Sequence, residues 1–171
     1  MALPRKLKNM NLFVDGDNWQ GLCEEFTPAK LAKKFEKYRG GGMAGAVGVD
    51  MGYEDDALNT EFTLGGFEVK ALQKHSAATH NAVLLRFAGS FQRDDTGEIS
   101  AVEIVQRGRI KEFDQGNHKV GDNSTMKVSM ENSYYKVVVD NEVIIEIDTV
   151  DMVENVNGED MMAAHRTAIG L

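Results

Sequence analysis

The residues of this 171-residue chain that could do chemistry are few, and their spacing suits none of the common reactions. Gly40, Gly42 and Gly45, within YRGGGMAGAVGVDMG, match G-x-G-x-x-G, which binds a dinucleotide when a strand precedes it and a helix N-terminus follows. Here Ala46-Val47-Gly48-Val49-Asp50-Met51-Gly52 follows, an alternating strand pattern, and no Lys-Ser or Lys-Thr follows Gly45 to make a phosphate loop. Asp15, Asp17 and Asn18 resemble the opening of a calcium loop, but the spacing fails after Trp19 and no Glu closes it. His75 and His80 are too far apart in register to share a helical face as metal ligands. Gly89-Ser90 lacks the G-x-S-x-G frame of a nucleophile elbow. The carboxylates of Asp55-Asp56 and Asp94-Asp95 point apart in extended chain, so neither pair shares a catalytic proton. No catalytic residue, cofactor or metal site is expected. A structural or binding role remains, with the glycine-rich stretch as a loop that some other surface must order.

Composition agrees with one domain, long enough to bury about 70% of its unfolded surface. Hydrophobic content of 42% and charged content of 27% are ordinary for a globular protein. No apolar run follows Arg5, Lys6 and Lys8, so no signal peptide is expected, and no apolar run is long enough to span a membrane. Cys23 is the single cysteine, which suits assembly in a reducing cytoplasm. The net charge of −8 is unevenly placed. Residues 1–39 hold eight Lys or Arg against five Asp or Glu, and residues 40–171 hold eleven against twenty-two. Between Lys136 and Arg166 there is no Lys or Arg, while Asp140, Glu142, Glu146, Asp148, Asp151, Glu154, Glu159 and Asp160 are acidic. That segment reads either as a solvated face or as one half of a head-to-tail contact between copies. The lack of basic excess argues against tight nucleic-acid binding.

The elements follow from alternation and turn residues. Leu12-Phe13-Val14, Asp15-Gly16 and residues 18–22 predict a hairpin, because Asp-Gly supplies the positive φ of a tight turn. Residues 28–39 fit a helix through Leu31, Phe35 and Tyr38, and equally a strand through Lys33, Phe35 and Lys37. Residues 59–64 predict a strand, and 67–78 the main helix, packed over a sheet through Phe67, Ala71, Leu72 and His75. Residues 82–93 and 98–113 predict a long hairpin around Asp94-Asp95-Thr96-Gly97. Residues 124–139 and 142–147 predict two more strands around Asp140-Asn141, and 159–169 a short C-terminal helix carrying Met161, Met162, Ala164 and Ile169. The sum is six to eight mostly antiparallel strands with two helices: an α+β fold, built as an antiparallel β-sandwich or partial barrel with one packed helix.

Several stretches carry a resemblance. MALPRKLKNMNLFVDGDNWQG, KFEKYRGGGMAGAVGVDMG, RFAGSFQRDDTGE, EIDTV followed by VNGED, and HRTAIGL span the chain in order. Together they resemble the major tail tube proteins of contractile-tailed bacteriophages. Similar proteins build the tubes of R-type bacteriocins, and a bacteriocin or secretion-like tube that carries no DNA stays open as an alternative. A remoter alternative is a monomeric β-rich ligand-binding module using the glycine loop as a cradle.

The resemblance implies two packed sheets plus a helix, six copies in a ring, and rings stacked into a hollow tube whose joined sheets line the channel. It favours a strand over residues 33–39. The partners it implies are further copies of this chain, the tail sheath protein, the baseplate hub or initiator, the tape measure protein and the tail terminator. DNA would pass through the channel without specific binding, inside a virion assembled in the host cytoplasm. The glycine loop at about 40–52 and the termini are the expected contacts between subunits and rings: Leu3, Pro4, Tyr38, Arg39, Gly40, Gly41, Gly42, Met43, Val47, Val49, Gly170 and Leu171. Ordering that loop costs on the order of 1 kcal/mol per residue, so free subunits are expected to wait for a template. The acidic excess predicts a channel wall that repels phosphates.

Overall fold

The alternation in residues 82–113 becomes the spine of the fold in the computed structural model, which describes residues 2–171. Strand β7 (Val83–Gln92) pairs antiparallel with β8 (Ile99–Asp114) along its whole length. On the far side of β8 lies β9 (Met126–Val139). The β8–β9 ladder is broken by irregularities between Arg107 and Gly108 and between Ile110 and Glu112. Such bulges bend a sheet and strengthen its twist. Beyond them, Met126–Met130 of β9 pairs with β6 (Thr60–Leu64), which pairs with β3 (Cys23–Thr27). The other half of β9 pairs with β10 (Glu142–Asp148), and β11 (Val153–Val156) and β12 (Glu159–Asp160) follow outward. At the β7 side the sheet continues into β1 (Lys6–Val14) and β2 (Asp17–Asn18).

The bend folds one sheet into two layers. Phe26 on β3 stacks on Phe87 on β7 with ring centroids 4.5 Å apart, and Trp19 meets Phe62 edge-on at 6.4 Å. Leu12, Val14, Leu64, Leu85, Met126, Val128, Met130, Tyr135 and Ile147 fill the space between. Each fully buried side chain of this size contributes roughly 1.5–3 kcal/mol. Gly108 permits the bend. A Cβ there would lie 2.2 Å from the Glu131 carbonyl oxygen and 2.7 Å from the Asn132 Cα. Beside it the buried Asn132 amide donates to the Leu58 carbonyl at 2.9 Å and to Thr60 Oγ1 at 3.0 Å, tying β9 to the start of β6.

A mostly antiparallel sheet with two small helices fits the α+β expectation, with three corrections. The described residues form twelve strands, not six to eight. β3 and β11 were missed because Glu24-Glu25 and Glu154-Asn155 interrupt the alternation that marks a strand. The main helix expected over residues 67–78 is only α1 (Val69–Leu72). Glu68 caps its first turn, Ser76 adopts a left-handed φ of 60°, and only Ala71 of the expected stripe is buried, so no broad apolar face holds a longer helix. The hairpin turn is as expected, with Asp15 and Gly16 at φ of 48° and 86°.

Candidate assembly interface

Residues 33–53 form a separate unit. β4 (Lys33–Tyr38) and β5 (Val47–Tyr53) make a two-stranded sheet that joins no other strand among the described residues. The periodicity left open by the residues is thus resolved as strand, in agreement with the resemblance. The span expected as a glycine loop over 40–52 needs correcting: the loop is only the stretch before Val47, and residues 47–53 are strand. Its alternation had already indicated this. Gly42 takes a φ of 83°, and Met43 closes the turn on Gly40, its amide donating to the Gly40 carbonyl at 3.3 Å while its sulfur accepts from the Gly40 amide at 3.0 Å.

This arm exposes apolar side chains on both faces. Register places Tyr38 opposite Val47 and Glu36 opposite Val49, so these four share one face. Phe35 and Asp50, with Lys37 and Gly48, share the other, and the Phe35 ring lies over Gly48. Tyr38 is 60% exposed, Phe35 57%, Met51 59% and Val47 49%. Contiguous apolar exposure of this kind marks an interaction surface. Lys34, Lys37 and Arg39 form no ion pair among the described residues.

A carboxylate holds the root of the arm. Glu154 on β11 accepts from Lys33 Nζ at 2.8 and 3.1 Å on its two oxygens, and from the Tyr53 hydroxyl at 2.8 Å. Lys33 also lies 4.2 Å over the Tyr53 ring. Burial, then the bond to Glu154, pushes the Tyr53 phenol well above its ordinary pKa. Sequence reasoning singled out neither Lys33, Tyr53 nor Glu154 as a site. They are separated by up to 121 positions, and no local pattern joins them.

The N-terminus lies away from the arm, and the C-terminal helix near its root. Leu3 is exposed, and its amide donates to Asp95 at 3.0 Å beside the β7–β8 turn; Pro4 is exposed. That contact, then the Arg93 guanidinium, holds the Asp95 carboxyl below the usual range. Helix α2 (Ala163–Ile169) buries no residue; Gly170 caps it at φ of 87°, and Leu171 is 78% exposed. Arg166 fastens α2 to the body through Asp160 and, at 2.7 Å, the Met152 carbonyl. Of the apolar residues named for this helix, Met161, Ala164 and Ile169 are exposed and Met162 is half-buried. The register puts the N-terminus and the 93–98, 140–141 and 157–158 turns at one end of the sheet. The arm root and α2, near Met152 and Val153, lie at the other. The structure therefore groups residues 38–43, Val47 and Val49 on the arm, and separates them from Leu3 and Pro4.

Strand edges are open as well among the described residues. Among the described residues, β2 covers only Phe13 and Val14, leaving the outer edge of the rest of β1 free, and β3 pairs only with β6. Such edges accept a strand from another chain unless protected. Among the described residues, no group of three or more His, Cys, Asp or Glu could hold a metal ion.

Comparison with known proteins identifies the family. The sequence pattern of the family described as "Phage tail tube protein FII" matches residues 4–170. The chain is 49% identical to the "Tail tube protein" of Escherichia phage P2 over the full length of both. It is 36% identical to the "Major tail tube protein" of Serratia phage KSP20, covering 94% of this chain and 92% of that one. A chain of the solved "Cryo-EM structure of the anti-feeding prophage (AFP) baseplate, 6-fold symmetrised" shares the fold, with a TM-score of 0.50 at 6% identity over 75% of this chain and 90% of that one. A family match over residues 4–170 and relatives at 49% and 36% identity, both aligned over more than nine-tenths of each chain, leave one conclusion: this chain belongs to the phage tail tube protein family, and its role is structural.

Proposed function

We propose that six copies of this chain close into a ring, and that rings stack head to tail into the hollow inner tube of a contractile phage tail. The observation that carries this reading is the β4–β5 arm, which exposes Phe35, Tyr38, Val47, Val49 and Met51 and pairs with no other strand among the described residues. An isolated two-stranded hairpin is marginal in water, so the arm needs a neighbour. A closed ring requires heterologous contacts, one patch on each copy meeting a different patch on the next. The free edges of β1 and β3 suit joining of sheets within a ring, because closure into a barrel removes edges.

Stacking finds support in the opposed ends. The arm brings the unpaired cations Lys34, Lys37 and Arg39, while Asp140, Glu142 and Glu159 are exposed at the other end, beside the N-terminus. A head-to-tail stack brings such ends together, and charge complementarity fixes partner and register. The tube would carry DNA through a wall that does not bind it, and the sheath, baseplate hub, tape measure and terminator would meet its outside and its ends. It would perform no catalysis and take no cofactor, and it would assemble in the host cytoplasm. Negative-stain electron microscopy of the purified protein, alone and with baseplate-capped tube ends as seeds, tests this. Six-fold rings or hollow tubes are expected; a protein that stays monomeric on seeds refutes the reading.

A further inference from the structure

The geometry points to Glu154 as the residue that positions the arm for assembly: through Lys33 and Tyr53 it fixes the β4–β5 hairpin to β11 before any neighbour arrives. The inference rests on the arm's being an assembly element, as proposed above. Every side-chain hydrogen bond and ion pair between the arm and the rest of the described chain ends on this carboxylate. Its two oxygens divide the work, since Oε1 takes the Tyr53 hydroxyl and the closer Lys33 contact while Oε2 takes the second. One bond comes from the first residue of β4 and the other from the last residue of β5, so both strands are gripped at the root.

The clamp is sheltered. The Glu154 side chain is 14% exposed and that of Lys33 28%. At that shelter, a charge-assisted hydrogen bond is stronger than a surface pair. β11 is itself anchored at this point: Glu154 sits opposite the buried Ile147, and its carbonyl accepts from the Met161 amide at 2.8 Å. Asp50, 3.8 Å from Lys33, is a weaker second partner and belongs to the arm itself. Holding the hairpin in place before docking removes part of the ordering cost of association.

The test compares wild type with Glu154→Gln and Lys33→Met, each as a monomer and then with seeds. Amide hydrogen exchange in residues 33–53 is expected to speed up about tenfold or more in either variant, from loss of a charge-assisted contact. The β7–β8 amides and the thermal midpoint should hold, and the seeded growth rate should fall. The double variant should add little to either single one, because both remove one coupled contact. Unchanged exchange in the arm overturns the assignment. So does faster exchange with normal growth, since assembly would then not need the clamp. A wild type that never grows on seeds refutes the tube reading instead, and the exchange comparison still decides whether Glu154 holds the arm.

Discussion

Replacing Gly108 with alanine probes the bend that turns one sheet into two layers. The added Cβ would lie 2.2 Å from the Glu131 carbonyl oxygen, 2.5 Å from Asn132 Oδ1 and 2.7 Å from the Asn132 Cα. Two of those atoms are backbone of the paired strand, so no side-chain rotation relieves the clash. Overpacking of this kind costs about 1–3 kcal/mol. Displacing Asn132 also strains its bonds to Leu58 and Thr60, worth about 1 kcal/mol each. The total is roughly 3–5 kcal/mol, a large share of the stability of a single domain. For a chain of this length the melting midpoint should drop by roughly 6–20 °C. Thermal and urea denaturation of the dilute monomer, followed by circular dichroism, would measure it. Gly41→Ala is the control, because no atom lies within 4 Å of its added Cβ and its φ is not positive. A Gly108→Ala midpoint within about 2 °C of wild type would refute the claim that close approach at the bulge requires glycine.

Three further outcomes follow from other parts of the structure. Val47→Asp, on the exposed arm, should leave monomer stability within about 0.5 kcal/mol of wild type yet abolish tube growth in seeded electron microscopy; normal tubes would exclude that face from the interface. Burial pushes the Cys23 thiol up to about 11 from an ordinary 9.0, so at pH 8 its alkylation should run about a hundredfold slower than in the urea-unfolded chain; equal rates would contradict it. Tyr53 and Tyr134 are raised by burial and then by donating to Glu154 and Glu146. Their neutral forms are favoured in the folded state, so the stability they contribute is complete below the ordinary phenol range and fades as pH rises through their folded values. Ultraviolet titration should therefore show tyrosines that ionise only with alkaline unfolding, and full reversible ionisation in the folded protein would be the contrary result.

The candidate surface was partly legible before the fold. Glycine content and the lack of a core pointed to residues 40–52 and to the termini, and residues 40–52 fall within the β4–β5 arm. The clamp at its root was invisible, because Lys33, Tyr53 and Glu154 look like ordinary surface residues until β11 is brought beside β4 and β5. The helix expected over 67–78 failed for a related reason. A stripe of apolar residues shows which side of a helix would be buried, but not that a surface exists to receive it, and Phe67 and Val69 remain exposed.

By itself the sequence determined the strong hairpins. Alternation in 82–113 and 124–147 and the turn residues Asp15-Gly16 and Asp140-Asn141 are local signals, set by the two-residue period of a strand and by positive φ. Only the tertiary structure decided where the sheet bends, which edges stay open and which way the arm is held. Those depend on contacts between residues far apart in the chain: the Gly108 approach to β9, the Phe26–Phe87 stack and the Glu154 clamp. Periodicity describes one strand at a time, and the surface used for assembly is made by the way strands meet.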